Sequence, residues 1–211
     1  MSEPAPAPPQ PPSGVSNFTW VIGVIGVLAI AYITLNTIRT DAPGSRGVEV
    51  GKPLPPFAAP LALSKLDGDA NTAGRSGEGA RRPACTVRGP EILNSCELAE
   101  RGPVVLAFLA TRSQRCLRQI DVVERVRARF PGVQFAAIAV RGKRADVRQL
   151  VRRRGWRLPV GYDRDGAVSN AYAVAVCPTI TFARNGGQVT STSLELLDEA
   201  ALSARVKALG R

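Results

Sequence analysis

The chain has 211 residues, 45% of them hydrophobic, which fits one domain with appendages and excludes a disordered or collagen-like polymer. It has no histidine, which excludes Ser-His-Asp and Cys-His catalysis, His-ligated zinc, haem on a proximal histidine and an imidazole pH switch. Net charge is +11, and the excess concentrates between Arg112 and Arg157, where fourteen bases meet three acids (Asp121, Glu124 and Asp146).

No charge occurs between Glu3 and Arg39. Residues 1–17 contain the run PAPAPPQPPSG and are expected to form a Pro-rich, disordered tail. Residues 18–38, FTWVIGVIGVLAIAYITLNTI, are apolar on every helical face. At about 1.5 Å per residue they cover the ~30 Å hydrocarbon core of a bilayer, and Trp20 and Tyr32 lie toward the interfaces. A single transmembrane helix is expected over 18–38, with membrane lipid as its partner. A cleaved signal peptide fits poorly, because the leading segment lacks Lys and Arg and no Ala-x-Ala site follows. Arg39 and Arg46 follow the span, so the positive-inside rule alone would put the C-terminal part in the cytoplasm.

Residues 39–50 read as a linker, 51–211 as the globular domain, and 64–84 as an exposed loop insertion rich in Gly, Asp, Asn, Ser and Arg. From Pro103 the pattern becomes regular. VVLAFLA (104–110) and VQFAAIAV (133–140) are continuous apolar runs, as expected for strands buried on both faces. Between them Cys116, Ile120, Val123, Val126 and Phe130 recur at helical spacing, ended by Pro131-Gly132. A helix is expected over 143–154, a short strand at 158–160, a turn at 163–166 and a helical turn or two at 167–172. Strands at 179–183 and 188–193 flank Asn185-Gly186-Gly187, a hairpin signal, and a last helix runs over 198–209. This order implies an α/β fold: a mixed sheet with a parallel core and one antiparallel hairpin, and helices on both faces.

Several segments resemble redoxins. Gly51-Lys52-Pro53-Leu54-Pro55-Pro56-Phe57 is similar to the family's G-x-x-x-P-x-F opening. VVLAFLATRSQRC (104–116) is similar to its strand and active-site segment, commonly V-V-L-x-F-W-A-T-W-C-P-P-C. Val176-Cys177-Pro178-Thr179 resembles the loop whose cis-proline opens the next strand, here at Pro178. Tyr162-Asp163-Arg164-Asp165-Gly166 and Tyr172-Ala173-Val174 resemble the D-x-x-G and Y-x-V punctuation before that loop. The resemblance is to membrane-anchored thioredoxin-like proteins of the alkyl hydroperoxide reductase/thiol-specific antioxidant group, over Gly51 to the C-terminus. It implies a thioredoxin-like fold, with a central mixed sheet and helices on both faces, and no cofactor.

The departure from the family pattern governs the chemistry. Where the family has W-C-x-x-C, this chain has Arg112-Ser113-Gln114-Arg115-Cys116. Ser113 takes the place of the attacking cysteine, and a serine hydroxyl neither ionises near neutral pH nor forms an S–S bond. Two functional readings remain. The family fold brings the residue before the cis-proline, here Cys177, against the start of the active-site helix, so Cys116 and Cys177 form a rewired redox pair. Alternatively, Ser113-Gln114-Arg115-Cys116 imitates the T-x-x-C of peroxiredoxins, with a Cys116 thiolate favoured by the helix N-terminus and by Arg112 and Arg115. That motif's opening proline is missing, Leu109 standing in its place. A third reading makes Cys116 a core cysteine in a catalytically silent binding or scaffold domain.

Cys85 and Cys96 lie eleven positions apart before the first core strand, and a disulfide there would stabilise by about 3 kcal/mol. Four cysteines allow three full pairings; 85–96 with 116–177 is favoured, the first structural and the second catalytic. Such bridges point to an oxidising compartment, and redoxins of this kind usually face outward from the cytoplasmic membrane. The domain is therefore expected to be extracytoplasmic, against the two-arginine bias. The partners expected are a protein thiol or disulfide and, for the basic face between Arg112 and Arg157, anionic lipid; the alternative for that face is ordinary solvation. Nucleic acid fits less well, with only Phe130, Phe135 and Trp156 there to stack on bases. No Cys-x-x-Cys is present, and no metal site is expected.

Overall fold

The computed structural model of the chain describes residues 17–39, 46–73, 82–140 and 142–210, with α1 side chains described over 20–34. The chain divides into two units, residues 1–42 and 43–211. In the first, α1 spans Asn17–Arg39, and its side chains from Trp20 to Thr34 are exposed. Among the described residues no helix is long and apolar enough to cross a membrane. The expected span at 18–38 is a helix here. The expected tail over 1–17 lies, but for Asn17, outside the described residues.

The second unit is built on a five-stranded sheet in the order β5-β4-β3-β6-β7. Its strands are β3 (Val104–Leu109), β4 (Gln134–Val140), β5 (Val160–Asp163), β6 (Thr179–Ala183) and β7 (Val189–Ser193). Strands β3, β4 and β5 are parallel; β6 runs antiparallel to β3, and β7 to β6. Alternation along β3 explains its unbroken hydrophobicity. Val105, Ala107 and Leu109 enter one core, while Val104, Leu106 and Phe108 enter the other.

The first core receives the apolar stripes of α3 (Gln114–Arg127), α4 (Arg144–Arg154) and α6 (Glu199–Ala208). The second receives α5 (Ala167–Ala171) and a segment that the sequence pattern left unassigned. That segment is a two-stranded antiparallel sheet, β1 (Ala58–Pro60) with β2 (Ile92–Asn94), followed by α2 (Ser95–Arg101). The strands have three residues each, too few to register as a period.

β5 begins two residues later than expected. Pro159 has no N–H to give to a ladder, so it precedes the strand, while its carbonyl accepts from Ala137 N at 2.9 Å. Asp163, expected in a turn, ends the strand fully buried; its carboxylate accepts from Val168 N, Ser169 N and the Ser169 hydroxyl and so anchors the start of α5. Residues 48–54 lie along the β6–β7 hairpin, with Gly51 N donating to Val189 O and Leu54 N to Gly187 O, both at 2.8 Å. Gly186 and Gly187 both take positive φ in that hairpin's turn, which is what the glycine pair supplies.

The basic run does not form one free face. Arg125 and Arg129 both pair with Glu199, Arg127 with Glu124, and Arg154 with Asp121. Arg144 donates to Leu61 O at 2.8 Å and to Ser64 Oγ at 2.7 Å, and Arg148 donates to Ala62 O at 2.8 Å. These two guanidiniums fasten the start of the 64–84 loop to α4, and burial, with Arg148 alongside, lowers the Arg144 pKa. Residues 74–81 of that loop lie outside the described residues. The sequence reading overlooked this because pairing of Arg with carbonyls or with Glu199 is long-range.

Candidate active site

β3 delivers the chain to the site at Leu109, and a turn closed by Ser113 N donating to Ala110 O at 3.1 Å opens α3. Ser113 has extended backbone and is the N-cap: its hydroxyl accepts from Cys116 N at 3.5 Å, and its carbonyl accepts from Leu117 N at 3.0 Å. Ser113 thus serves the helix end. Cys116, the third residue of α3, is fully buried.

Sixty-one positions later Cys177 precedes β6, and the Cys177–Pro178 peptide bond is cis. The two cysteines are bridged, with S–S 1.96 Å and Cα–Cα 5.6 Å. Cys177 is partly exposed, and its Sγ lies 3.4 Å from the carbonyl oxygen of Phe108 on β3. Pro178 is buried behind it. Arg112 and Arg115 are exposed, and neither forms a hydrogen bond or ion pair among the described residues. Beside the turn, Thr111, Arg112, Lys143 and Asp146 border a cleft of about 330 Å³.

Two observations bear on the other readings of Cys116. A free core cysteine at 116 is replaced by a bridged one, and no free cysteine is found among the described residues. In this bridged state Cys116 has no exposed surface for a hydroperoxide to meet. No group of three or more His, Cys, Asp or Glu among the described residues is placed to hold a metal.

Three supporting residues were given no role of their own in the sequence reading. Gln119, buried on α3, accepts from Leu197 N at 2.7 Å and donates to Leu197 O at 3.1 Å, which ties α3 to the segment before α6. Thr179 donates to Val176 O at 2.7 Å and holds the Cys177 loop closed. Tyr172, fully buried, donates to Pro55 O at 2.9 Å and packs on Phe57 and on Phe108, whose carbonyl faces Cys177. Burial raises the Tyr172 pKa well above its ordinary value. A polar residue on an apolar helix stripe was the available signal for Gln119; the other two have none outside the family motif.

Cys85 and Cys96 are bridged as well, with Cα–Cα 5.5 Å. The bridge joins a 3₁₀ turn (Ala84–Thr86) to the second residue of α2. Asn94 reinforces it: its Oδ1 caps α2 by accepting from Cys96 N and Glu97 N, and its Nδ2 donates to Ala84 O and Val87 O. Arg88 pairs with Glu100 at 2.5 Å nearby and holds that carboxyl below its usual range.

No family model matches the sequence, and no curated protein matches it. Solved structures do. A secreted Mycobacterium tuberculosis disulfide oxidoreductase homologous to E. coli DsbE aligns with 26% identity and a TM-score of 0.52, over 56% of this chain and 89% of that one. MTB dsbF aligns with 25% identity and a TM-score of 0.52, over 56% of this chain and 87% of its own. A putative thiol:disulfide interchange protein DsbE from Chlorobium tepidum has 18% identity but a TM-score of 0.59, over 77% of this chain and 98% of that one. The neighbours are thioredoxin-like thiol:disulfide oxidoreductases, and the likeness does not single out the alkyl hydroperoxide reductase group. The sheet order, the cis-proline loop and these neighbours together make this a thioredoxin-like α/β fold.

Proposed function

We propose that the chain is a membrane-anchored thiol:disulfide oxidoreductase that exchanges electrons with protein thiols through the Cys116–Cys177 pair, Ser113 having replaced the usual attacking cysteine. The observation that carries this is the bridge itself: it joins the start of α3 to the cis-proline loop. In the oxidising direction a partner dithiol loses two electrons and closes its own disulfide, while Cys116 and Cys177 become thiols. Residues 18–38 are the anchor and contact lipid; the domain faces out of the cytoplasm, where two disulfides persist. The domain's other contacts are protein thiols and disulfides.

The test is disulfide mapping of the full chain in detergent across a glutathione series. Cys85–Cys96 is expected to resist reduction to below about −300 mV, and Cys116–Cys177 to open at a milder potential. A Cys116–Cys177 bridge that opens only together with Cys85–Cys96 would make it a structural staple and refute the proposal. Orientation is read separately: labelling of DTT-reduced intact spheroplasts with an impermeant maleimide is expected to reach Cys177 without permeabilisation.

A further inference from the structure

The two sulfurs of the pair are not equivalent, and we infer that Cys177 is the sulfur that bonds to the partner, with Cys116 as the leaving and resolving thiolate. The inference rests on the redox pair proposed above and assigns its polarity. In thiol–disulfide exchange the incoming thiolate, the attacked sulfur and the leaving sulfur lie close to one line. Cys116 is 0% exposed, whereas Cys177 is partly exposed and follows Ala175 and Val176, both exposed, the latter at 47%. Of the two cysteines, only Cys177 therefore has surface open to solvent. A thiolate arriving from solvent can reach Cys177, whereas Cys116 presents it no surface to attack.

The electrostatics point the same way. When the bond breaks, its electron pair must go to one sulfur. Cys116 stands in the first turn of the 14-residue α3, where the helix N-terminus favours negative charge. Cys177 Sγ instead faces the Phe108 carbonyl oxygen at 3.4 Å, which opposes charge on that sulfur and accepts its S–H once it is a thiol.

The sequence of bonds follows. A partner thiolate attacks Cys177; the Cys116–Cys177 bond breaks, a mixed disulfide forms on Cys177, and Cys116 holds the electron pair. The partner's second thiolate then attacks its own sulfur in the mixed disulfide and closes the partner's bridge. Cys177 leaves as a thiolate and takes a proton from solvent. In the reverse direction Cys177 attacks a partner disulfide, and Cys116 resolves the mixed disulfide. The attacking role that Ser113 cannot fill has moved from the helix to the loop before β6.

The experiment compares the reduced full-length variants Cys116→Ala and Cys177→Ser in detergent, with oxidised glutathione as the probe and peptide mass spectrometry as the readout. Cys116→Ala is expected to collect a glutathionyl adduct on Cys177 about 10-fold or more faster than Cys177→Ser collects one on Cys116. A faster adduct on Cys116 would overturn the polarity while leaving the redox pair in place. No adduct on either would defeat the oxidoreductase proposal with it. Because a substitution at buried Cys116 can disturb folding, the reduced wild-type chain is also alkylated briefly with iodoacetamide. Cys177 is expected to be modified first, and earlier modification of Cys116 would refute the inference.

Discussion

Removing the Cys116–Cys177 bridge should destabilise the domain more than removing Cys85–Cys96, although the latter is the one placed as a structural staple. The perturbation is a pair of double variants, Cys116→Ala/Cys177→Ala and Cys85→Ala/Cys96→Ala. A cross-link stabilises chiefly by restricting the unfolded chain, by an amount that grows with the logarithm of the loop it closes. The two loops have separations of 61 and 11 residues. At 25 °C the chain-entropy relation gives about 4.3 kcal/mol for the first and about 2.8 kcal/mol for the second. Cys116 is fully buried, so its lost sulfur adds up to about 1 kcal/mol of burial to the first variant. Expected losses are therefore about 4–5 kcal/mol against about 3 kcal/mol. The assay is equilibrium urea denaturation under non-reducing conditions, followed by fluorescence of Trp156. That indole is buried in the core packed on α3 and donates to Asp121 at 2.8 Å, so it reports unfolding of that core, while Trp20 is exposed. A loss for the Cys116/Cys177 pair equal to or smaller than that for the Cys85/Cys96 pair would refute the loop-length reasoning.

Ser113→Cys in a Cys177→Ser chain rebuilds a Cys-x-x-Cys at the start of α3; disulfide mapping should find the introduced thiol joined to Cys116, and insulin reduction should rise well above the parent. A parent that already reduces insulin as fast would refute the view of Ser113 as a lost nucleophile. Gln119→Leu strands the Leu197 N–H and carbonyl and should cost roughly 2 kcal/mol in urea denaturation; an unchanged midpoint would show that the tie between α3 and the α6 side is dispensable. Tyr172→Phe leaves the Pro55 carbonyl without its donor and should cost about 1–3 kcal/mol. The folded Tyr172 pKa lies above the ordinary 10.0, so its stabilisation is complete below pH 10 and is lost as the pH rises beyond that value. The Phe variant should therefore lose less stability than wild type on going from pH 9 to roughly pH 11, and equal losses would contradict the burial argument.

Local pattern carried much of the fold. The doubly buried strands β3 and β4, the stripe of α3 and the glycine turn of the β6–β7 hairpin are one-dimensional signals, because each depends on the period of side-chain direction or on a single backbone conformation. That Ser113 stands where the redoxin motif has its first cysteine was likewise legible in the sequence, through the resemblance, and that its hydroxyl cannot form an S–S bond follows from residue chemistry. Other features were not legible, because they depend on residues far apart in the chain. The three-residue strands β1 and β2 exist only through each other's hydrogen bonds, and the arginines between Arg112 and Arg157 read as one basic face until Glu199 and the Leu61–Leu66 carbonyls are brought beside them. Asp163 read as a turn residue, yet the fold buries it and gives its carboxylate three donors. The sequence by itself determined which sulfurs were available and that Ser113 is not one of them. The resemblance favoured a Cys116–Cys177 pair, and the structure joins the two across 61 residues. Only the tertiary structure decided that Cys116 lies in the core while Cys177 is partly exposed, because exposure is set by the elements packed around a residue and not by its neighbours in the chain.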